Sequence, residues 1–402
     1  MPRLLMLPPA PASRVGPHEV RLDGKFVEGM RHICANWPGE VGCVLRGSDA
    51  AIPFGDNYDP AQLPFDLTLL AEGQAVPQEI LDASDIVEAS GDLHLDLDLA
   101  DRTAGQRTRC VFVIEYTLGT RLQILGLDRD RSTVQKAKSA LWLLGQERRR
   151  RRALRRADGV QVNGFPAYDA YRALNGNTVM YLDNRMQGTM FADQGELARK
   201  AAVLTAGGPL RLINSGRLEP LKGAQDLVPV ARALNDRGVN FTLDIYGTGS
   251  LQDQIRADIQ TYQLADRVRL HAPVDFVTEL VPISRRDADL FLSCHRQSDP
   301  SCTYLEAMGC GLPVVGYDNA MLSRLASDST AGWTVPLADT AALADLIAAR
   351  ATDPAGIGAA SRAALDFARK HDFATEFALR RDHLLHLLDA SETPADLTKK
   401  RV

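Results

Sequence analysis

Residues 292–316 read LSCHRQSDPSCTYLEAMGCGLPVVG, and the punctuation of this stretch decides the fold. Leu290-Phe291-Leu292 closes an apolar strand. Asp299 suits an N-cap and Pro300 the first helical position, so a short helix is expected from there. Gly309 and Gly311 end it, and Leu312-Pro313-Val314-Val315 opens the next buried strand. Ser301, Cys302 and Thr303 would present unpaired backbone N–H groups at the helix start, an end that favours phosphate. Glu306, one turn further on, offers a carboxylate that can accept two hydrogen bonds from a ribose diol. A surface turn with a solvated Glu is the plainer alternative.

Upstream, strand and helix alternate. Leu210 to Arg217 is a strand, Ala224 to Arg237 a helix, Phe241 to Gly247 a strand with Gly247-Thr248-Gly249 as its turn, and Ser250 to Tyr262 a helix. A parallel sheet with right-handed crossovers is the simple solution. Arg217 and Lys222 flank a strand–loop–helix junction, which places two cations over the carboxyl edge of that sheet. Either alone would read as a surface cation.

The first half repeats the pattern. Strands are expected at Arg3 to Leu7, Val41 to Leu45, Phe65 to Leu70, Asp85 to Ala89, Cys110 to Tyr116, Gly159 to Asn163 and Val179 to Leu182. A Pro-rich loop follows the first, and Asp23 caps a helix in which Gly24 lets a ligand approach the backbone; a plain turn explains Gly24 as well. Open α/β sheets bind ligands at the carboxyl ends of their strands, which makes Glu115 a candidate for donor or acceptor contact. The expected organisation is 1–190 as a first domain, 191–208 as linker, 209–350 as a second domain, 351–390 as helices packing back toward the first, and 391–402 as a polar tail.

At 402 residues the chain is long for one core, so two domains are expected. A net charge of −5 argues against nucleic acid as the main partner. The six Cys have no zinc spacing and read as free thiols in a reducing cytosol. No window is apolar enough to span a bilayer. Asp96-Leu97-Asp98, Asp128-Arg129-Asp130 and Asp287-Ala288-Asp289 spell a metal motif, DxD, but among 51 acidic residues such spellings arise by chance, and no metal site is expected. The alternating stretch around Asp96 reads as an edge strand or loop. Ser132 to Ala157 is helical, with Leu141-Trp142-Leu143-Leu144 followed by Arg148, Arg149, Arg150, Arg151 and Arg152. An apolar patch beside a basic face suits an anionic membrane surface, whereas a core-facing stripe with a solvated basic side is the alternative. The expected location is the cytoplasm, with contact to the inner face of the membrane through these arginines.

SDPSCTYLEAMGCGLPVV resembles the donor-site segment of retaining nucleotide-sugar glycosyltransferases of group 1 (family 4-like), whose GT-B architecture sets two Rossmann-like domains across a cleft. Glu306 matches the second Glu of the family pattern. The first falls on Ser298, and Asp299, one residue on, stands ready to replace it. SGRLEPLKG resembles the segment whose Arg and Lys hold the donor diphosphate, here Arg217 and Lys222. The resemblance implies a metal-independent transferase with no cofactor. It would move a hexose-type sugar from a UDP- or GDP-sugar to an acceptor, saccharide or lipid-linked, in glycan or glycolipid assembly. It assigns the ribose to Glu306, close nucleotide approach to Gly247 and phosphate contact to Ser301, Cys302 and Thr303. The family's His near the strand end at Glu115 is missing. Two other readings are a degenerate nucleotide-sugar-binding protein, which would bind without turnover, and a sugar-nucleotide epimerase, which would release a new sugar nucleotide without any acceptor.

Overall fold

The structure, a computed structural model, describes residues 1–48, 52, 55–128 and 130–389. The tail expected over 391–402 and Arg129, the centre of one DxD spelling, lie outside the described residues.

Two parallel sheets carry the chain. The first runs Thr178–Tyr181, Gly159–Asn163, Arg109–Ile114, Ile86–Ser90, Leu4–Leu7, Val41–Arg46, Asp66–Leu70. The second runs Val268–His271, Phe241–Tyr246, Leu210–Ser215, Leu290–Ser293, Val314–Tyr317, Gly332–Val335. Every residue of Leu4–Leu7, Leu290–Ser293 and Val314–Tyr317 is buried. Strands apolar on both faces need helices on both faces, which is what parallel crossovers supply. The architecture is therefore two Rossmann-like domains, as the alternation of elements implies.

Four features depart from the sequence-based expectation. The loop after the first strand forms, with Gly55–Tyr58, a three-stranded antiparallel sheet over Ala12–Gly16 and Glu19–Asp23. Its cause is a short alternation that buries Val20 and Leu22. The stretch expected as linker, 191–208, holds the helix Gln194–Thr205, closed by a capping box of Asp193 and Glu196. This helix packs on Pro354–Lys370, so both belong to the second domain. Of the expected returning helices, only Phe373–Asp389 crosses back to the first domain. Around Asp96 the chain forms turns and the short helix Leu99–Arg102; Asp96 is buried under a bidentate pair with Arg46, at 2.6 and 2.9 Å.

The two crossings between domains hold each other. Asn184 Nδ2 donates to the His371 carbonyl at 2.8 Å, and the Phe373 N–H donates to the Met186 carbonyl at 2.9 Å. Beyond them, Arg380 reaches Glu88 at 2.9 Å and Gln161 at 2.8 Å beneath the first sheet.

Candidate active site

A cavity of about 370 Å³ lies between the carboxyl edges of the two sheets. In the second domain it sits where the adjacent strands Leu210–Ser215 and Leu290–Ser293 part, the place at which strand order reverses and ligands bind in open α/β sheets. The first strand delivers Asn214, Gly216, Arg217 and Lys222 to the wall; the second delivers His295 and Asp299. The first domain contributes Lys25, Glu115, Asn163 and Asp183.

The second-domain wall is cationic. Arg217 is exposed and, among the described residues, has no carboxylate within ion-pair distance. Lys222 forms a short ion pair with Asp299. Burial pushes the Asp299 carboxyl up, but the Lys222 ammonium beside it outweighs this and holds it below the usual range. His295 is buried, and that burial, with Lys222 and Arg217 nearby, pushes its imidazole down to about 3 against the pull of Asp299. It is therefore neutral at pH 7, and its Nδ1 lies 3.2 Å from the Tyr304 hydroxyl. Asn214 donates its side-chain amide to the Leu292 carbonyl at 2.8 Å, joining the two strands at their fork.

The first-domain wall is carboxylate-rich. Burial pushes Glu115 up to about 7; Asn163, donating to it at 3.1 Å, draws it down, and Asp92 and Asp183 raise it further. Its backbone is fixed, since the Glu115 and Tyr116 N–H groups both donate to Asp92, at 2.9 and 3.2 Å. Asn163 Oδ1 accepts the Asp183 N–H at 3.2 Å, so three strand ends form one connected surface.

Several expected site residues stand differently. The short helix runs Thr303–Gly309 with Cys302 at its cap position, and Asp299 spends its carboxylate on Lys222 instead of capping. Pro300, Ser301 and Cys302, just ahead of that helix, and Thr303, its first residue, line the cavity. Burial pushes the Cys302 thiol up to about 12, with Glu306 adding to it. Glu306 is buried and held bidentately by Arg185, at 2.7 and 3.1 Å. Arg185 comes from the crossing between domains and lies over the Phe276 ring. Gly247, with φ of +154°, would set a Cβ 1.9 Å from the Gly216 carbonyl. Its lack of a side chain serves the packing of two loops. Asp23 caps the helix Gly24–Asn36 as expected from the sequence, accepting the Phe26 N–H at 3.0 Å; Lys25, not Gly24, lines the cavity.

The five arginines do not form one basic face. Arg150 is buried, donating to the Gly91 carbonyl at 2.8 Å and to Glu147 at 3.0 Å. Arg151 pairs with Glu147 and Arg152 with Asp101. Arg148 and Arg149 are exposed with no carboxylate partner among the described residues, Arg149 donating to Gln146 at 3.0 Å, beside exposed Leu141 and Leu144. Among the described residues no helix is long and apolar enough to cross a membrane, and no cluster of three or more metal-ligating side chains gathers. Asp289, of the third DxD spelling, is buried under Arg211.

Sequence reasoning passed over Lys25, Asn163, Asp183, Asn214 and His295. The strand-end rule that nominated Glu115 applies equally to Asn163, the last residue of its strand, and to Asp183, two residues beyond the next. His295 lies within the deciding stretch and carried no separable signal.

Comparison with known proteins places these features. Residues 198–366 match the family model "Glycosyl transferases group 1". A protein of Escherichia coli (strain K12) named for colanic acid biosynthesis, WcaL, is 33% identical over 153 residues, 35% of this chain and 36% of that one. The amylovoran biosynthesis glycosyltransferase AmsK of Erwinia amylovora is 29% identical over 153 residues, 35% of each chain. The match thus spans about a third of these curated relatives. Sucrose-phosphate synthase of Thermosynechococcus elongatus superposes with a TM-score of 0.65 at 16% identity, covering 98% of this chain and all of that one. Anabaena Alr3699/HepE, solved with UDP, superposes with a TM-score of 0.64 at 14% identity, covering 96% and all. At such identities these likenesses show the GT-B fold.

Proposed function

We propose, from a second domain that belongs to the group 1 glycosyl transferases over residues 198–366, that this protein is a glycosyltransferase. It would move a sugar from a UDP- or GDP-linked donor to an acceptor, saccharide or lipid-linked, in glycan assembly. The observation that carries the reading is the pair Arg217 and Lys222 at the fork of the second sheet, facing a first-domain wall that contains Glu115. Relatives named for colanic acid and amylovoran biosynthesis, and a neighbour solved with UDP, support the substrate class.

In this reading the bond between sugar C1 and the phosphate oxygen breaks, and its electron pair stays on the phosphate. The acceptor hydroxyl oxygen bonds to C1 from the same face, so configuration is retained, and its proton passes to the departing phosphate oxygen. Charge grows on the diphosphate, where Arg217 and Lys222 already stand as cations, so this reading calls for no metal there. No enzymic base is required; Glu115 positions a sugar or acceptor hydroxyl. Glu306 receives the ribose through the lone pairs that Arg185 leaves open. Peripheral contact with an anionic inner membrane surface, through Arg148 and Arg149, belongs to the same reading.

The test is calorimetric titration with UDP, GDP and ADP. One nucleotide binds, and Arg217→Ala weakens it by about 1.5–3 kcal/mol, the worth of a hydrogen bond to a charged group. Arg217 is the clean site because truncation strands no buried partner. Absence of binding to any of the three at millimolar concentration would overturn the assignment.

A further inference from the structure

The helix Leu118–Leu127, capped by Thr117, starts three residues after Glu115 and leans on the second domain along Pro220–Lys222 and, through side-chain hydrogen bonds, at Ser298. Gln123 Oε1 accepts the Ser298 N–H at 3.0 Å, and the Thr120 hydroxyl donates to the Ser298 carbonyl at 3.3 Å. The Ser298 hydroxyl accepts the Ala320 N–H at 3.1 Å, inside its own domain. Both backbone polar groups of Ser298 are thus held by the first domain, and its side chain by the second. Thr120 and Ser298 are buried. The next residue, Asp299, carries the carboxylate that pairs with Lys222 in the cavity.

The other end of this connection is equally fixed. Asp92 accepts the N–H groups of Glu115 and Tyr116 and pairs with Arg121 on the same helix. A short hydrogen-bonded path therefore runs from Glu115 on one wall of the cavity to Asp299 on the other. Glu115, at one end, is a substrate contact in the glycosyltransferase reading; the links between the two ends, Asp92, Arg121, Thr120, Gln123 and Ser298, are not, and Lys222 meets the far end through its ion pair with Asp299.

We propose that Gln123 and Thr120 are positioning residues: by gripping the Ser298 main chain they set the register between the Glu115 wall and the Asp299–Lys222 wall. The proposal rests on the glycosyltransferase reading. Its physical basis is the steep dependence of transfer on geometry, where a misplacement of about 1 Å can cost about a hundredfold. Because the grip is on the backbone, it tolerates a Ser where the family pattern has Glu. A device of this kind acts on turnover and leaves nucleotide affinity alone, since the nucleotide is held within the second domain.

The experiment uses the full chain with Gln123→Ala and Gln123→Glu. Gln123 is exposed on a helix, so Ala preserves the fold there, and Glu keeps an oxygen to accept the Ser298 N–H. UDP and GDP binding is measured by calorimetry, donor turnover by nucleotide release from UDP- and GDP-sugars, and amide exchange at Ser298 by mass spectrometry. In Gln123→Ala, exchange at Ser298 quickens, kcat falls by about tenfold or more, and nucleotide Kd and donor KM stay within about twofold; Gln123→Glu recovers most of kcat. Unchanged kcat in Gln123→Ala, or a parallel loss of nucleotide affinity, overturns the proposal while the glycosyltransferase reading stands. A wild type that neither binds nor turns over any donor overturns both.

Discussion

Glu115 is the residue whose surroundings do most to set its chemistry. Its carboxyl rises to about 7, first because it is buried and then because Asp92 and Asp183 lie near. In the unfolded chain it would titrate near its ordinary value of 4.5. Between these values the folded protein holds a proton that the unfolded chain has lost, so stability falls as pH rises through the interval and stays low above it. Glu115→Gln has no such dependence and can still accept from Asn163. Its stability relative to wild type is expected to grow from pH 4 to pH 8, by up to about 3 kcal/mol. Denaturant melts at both pH values check this; parallel curves for the two proteins would show that Glu115 is not the titrating group. Arg217 and Lys222 illustrate the opposite relation to sequence. Their spacing announced them, because a strand–loop–helix junction delivers cations to a sheet edge whatever the rest of the fold does.

At the scale of the element, the helix Thr133–Arg156 shows what periodicity can and cannot say. It runs between Ser132 and Ala157, the bounds the pattern placed, and the structure adds a capping box of Ser132 with Gln135. Its five consecutive arginines cannot share a face, because successive residues turn by about 100° around the axis. One of them, Arg150, becomes a buried strut against Gly91, and two are spent on Glu147 and Asp101. Leu141, Leu144 and Arg148 do share an exposed face, at i, i+3 and i+7. Wild type is expected to co-sediment with anionic and not with neutral liposomes, and the double change Arg148→Glu with Arg149→Glu to abolish this. Equal recovery in the supernatant with both liposome types would end the membrane reading, and the salt dependence of any binding should be steep.

Across the whole molecule, the two domains are joined by paired crossings and by the return of Phe373–Asp389. That helix lies so close to the first sheet that a Cβ on Gly159 would fall 2.6 Å from Leu387 and 2.8 Å from His383. Gly159→Ala is therefore expected to destabilise by about 1–3 kcal/mol, the cost of overpacking a close-fitted core, and to loosen the final helix. Denaturant unfolding with limited proteolysis at residues 373–389 would detect it. A variant with wild-type stability would show that the helix can shift without loss. The crossings explain why the linker expected over 191–208 proved to be mainly helix. A joint needs only a few residues when a second strand of chain braces it, and the apolar face of Gln194–Thr205 was free to pack on Pro354–Lys370.

The sequence by itself determined the two parallel sheets, the order of their elements, most strand positions and the cation pair at the second fork. These follow from local periodicity, Gly and Pro punctuation and short-range spacing, which act within a dozen residues. The tertiary structure alone decided the rest. It tied Glu306 to Arg185, 121 residues away in the chain, and Asp299 to Lys222, 77 residues away. It brought Asn163, Asp183 and His295 to one cavity and turned Arg150 inward. The reason is common to all of them. A charged side chain is committed by whichever partner burial brings near, and no local pattern records a partner that arrives from another element.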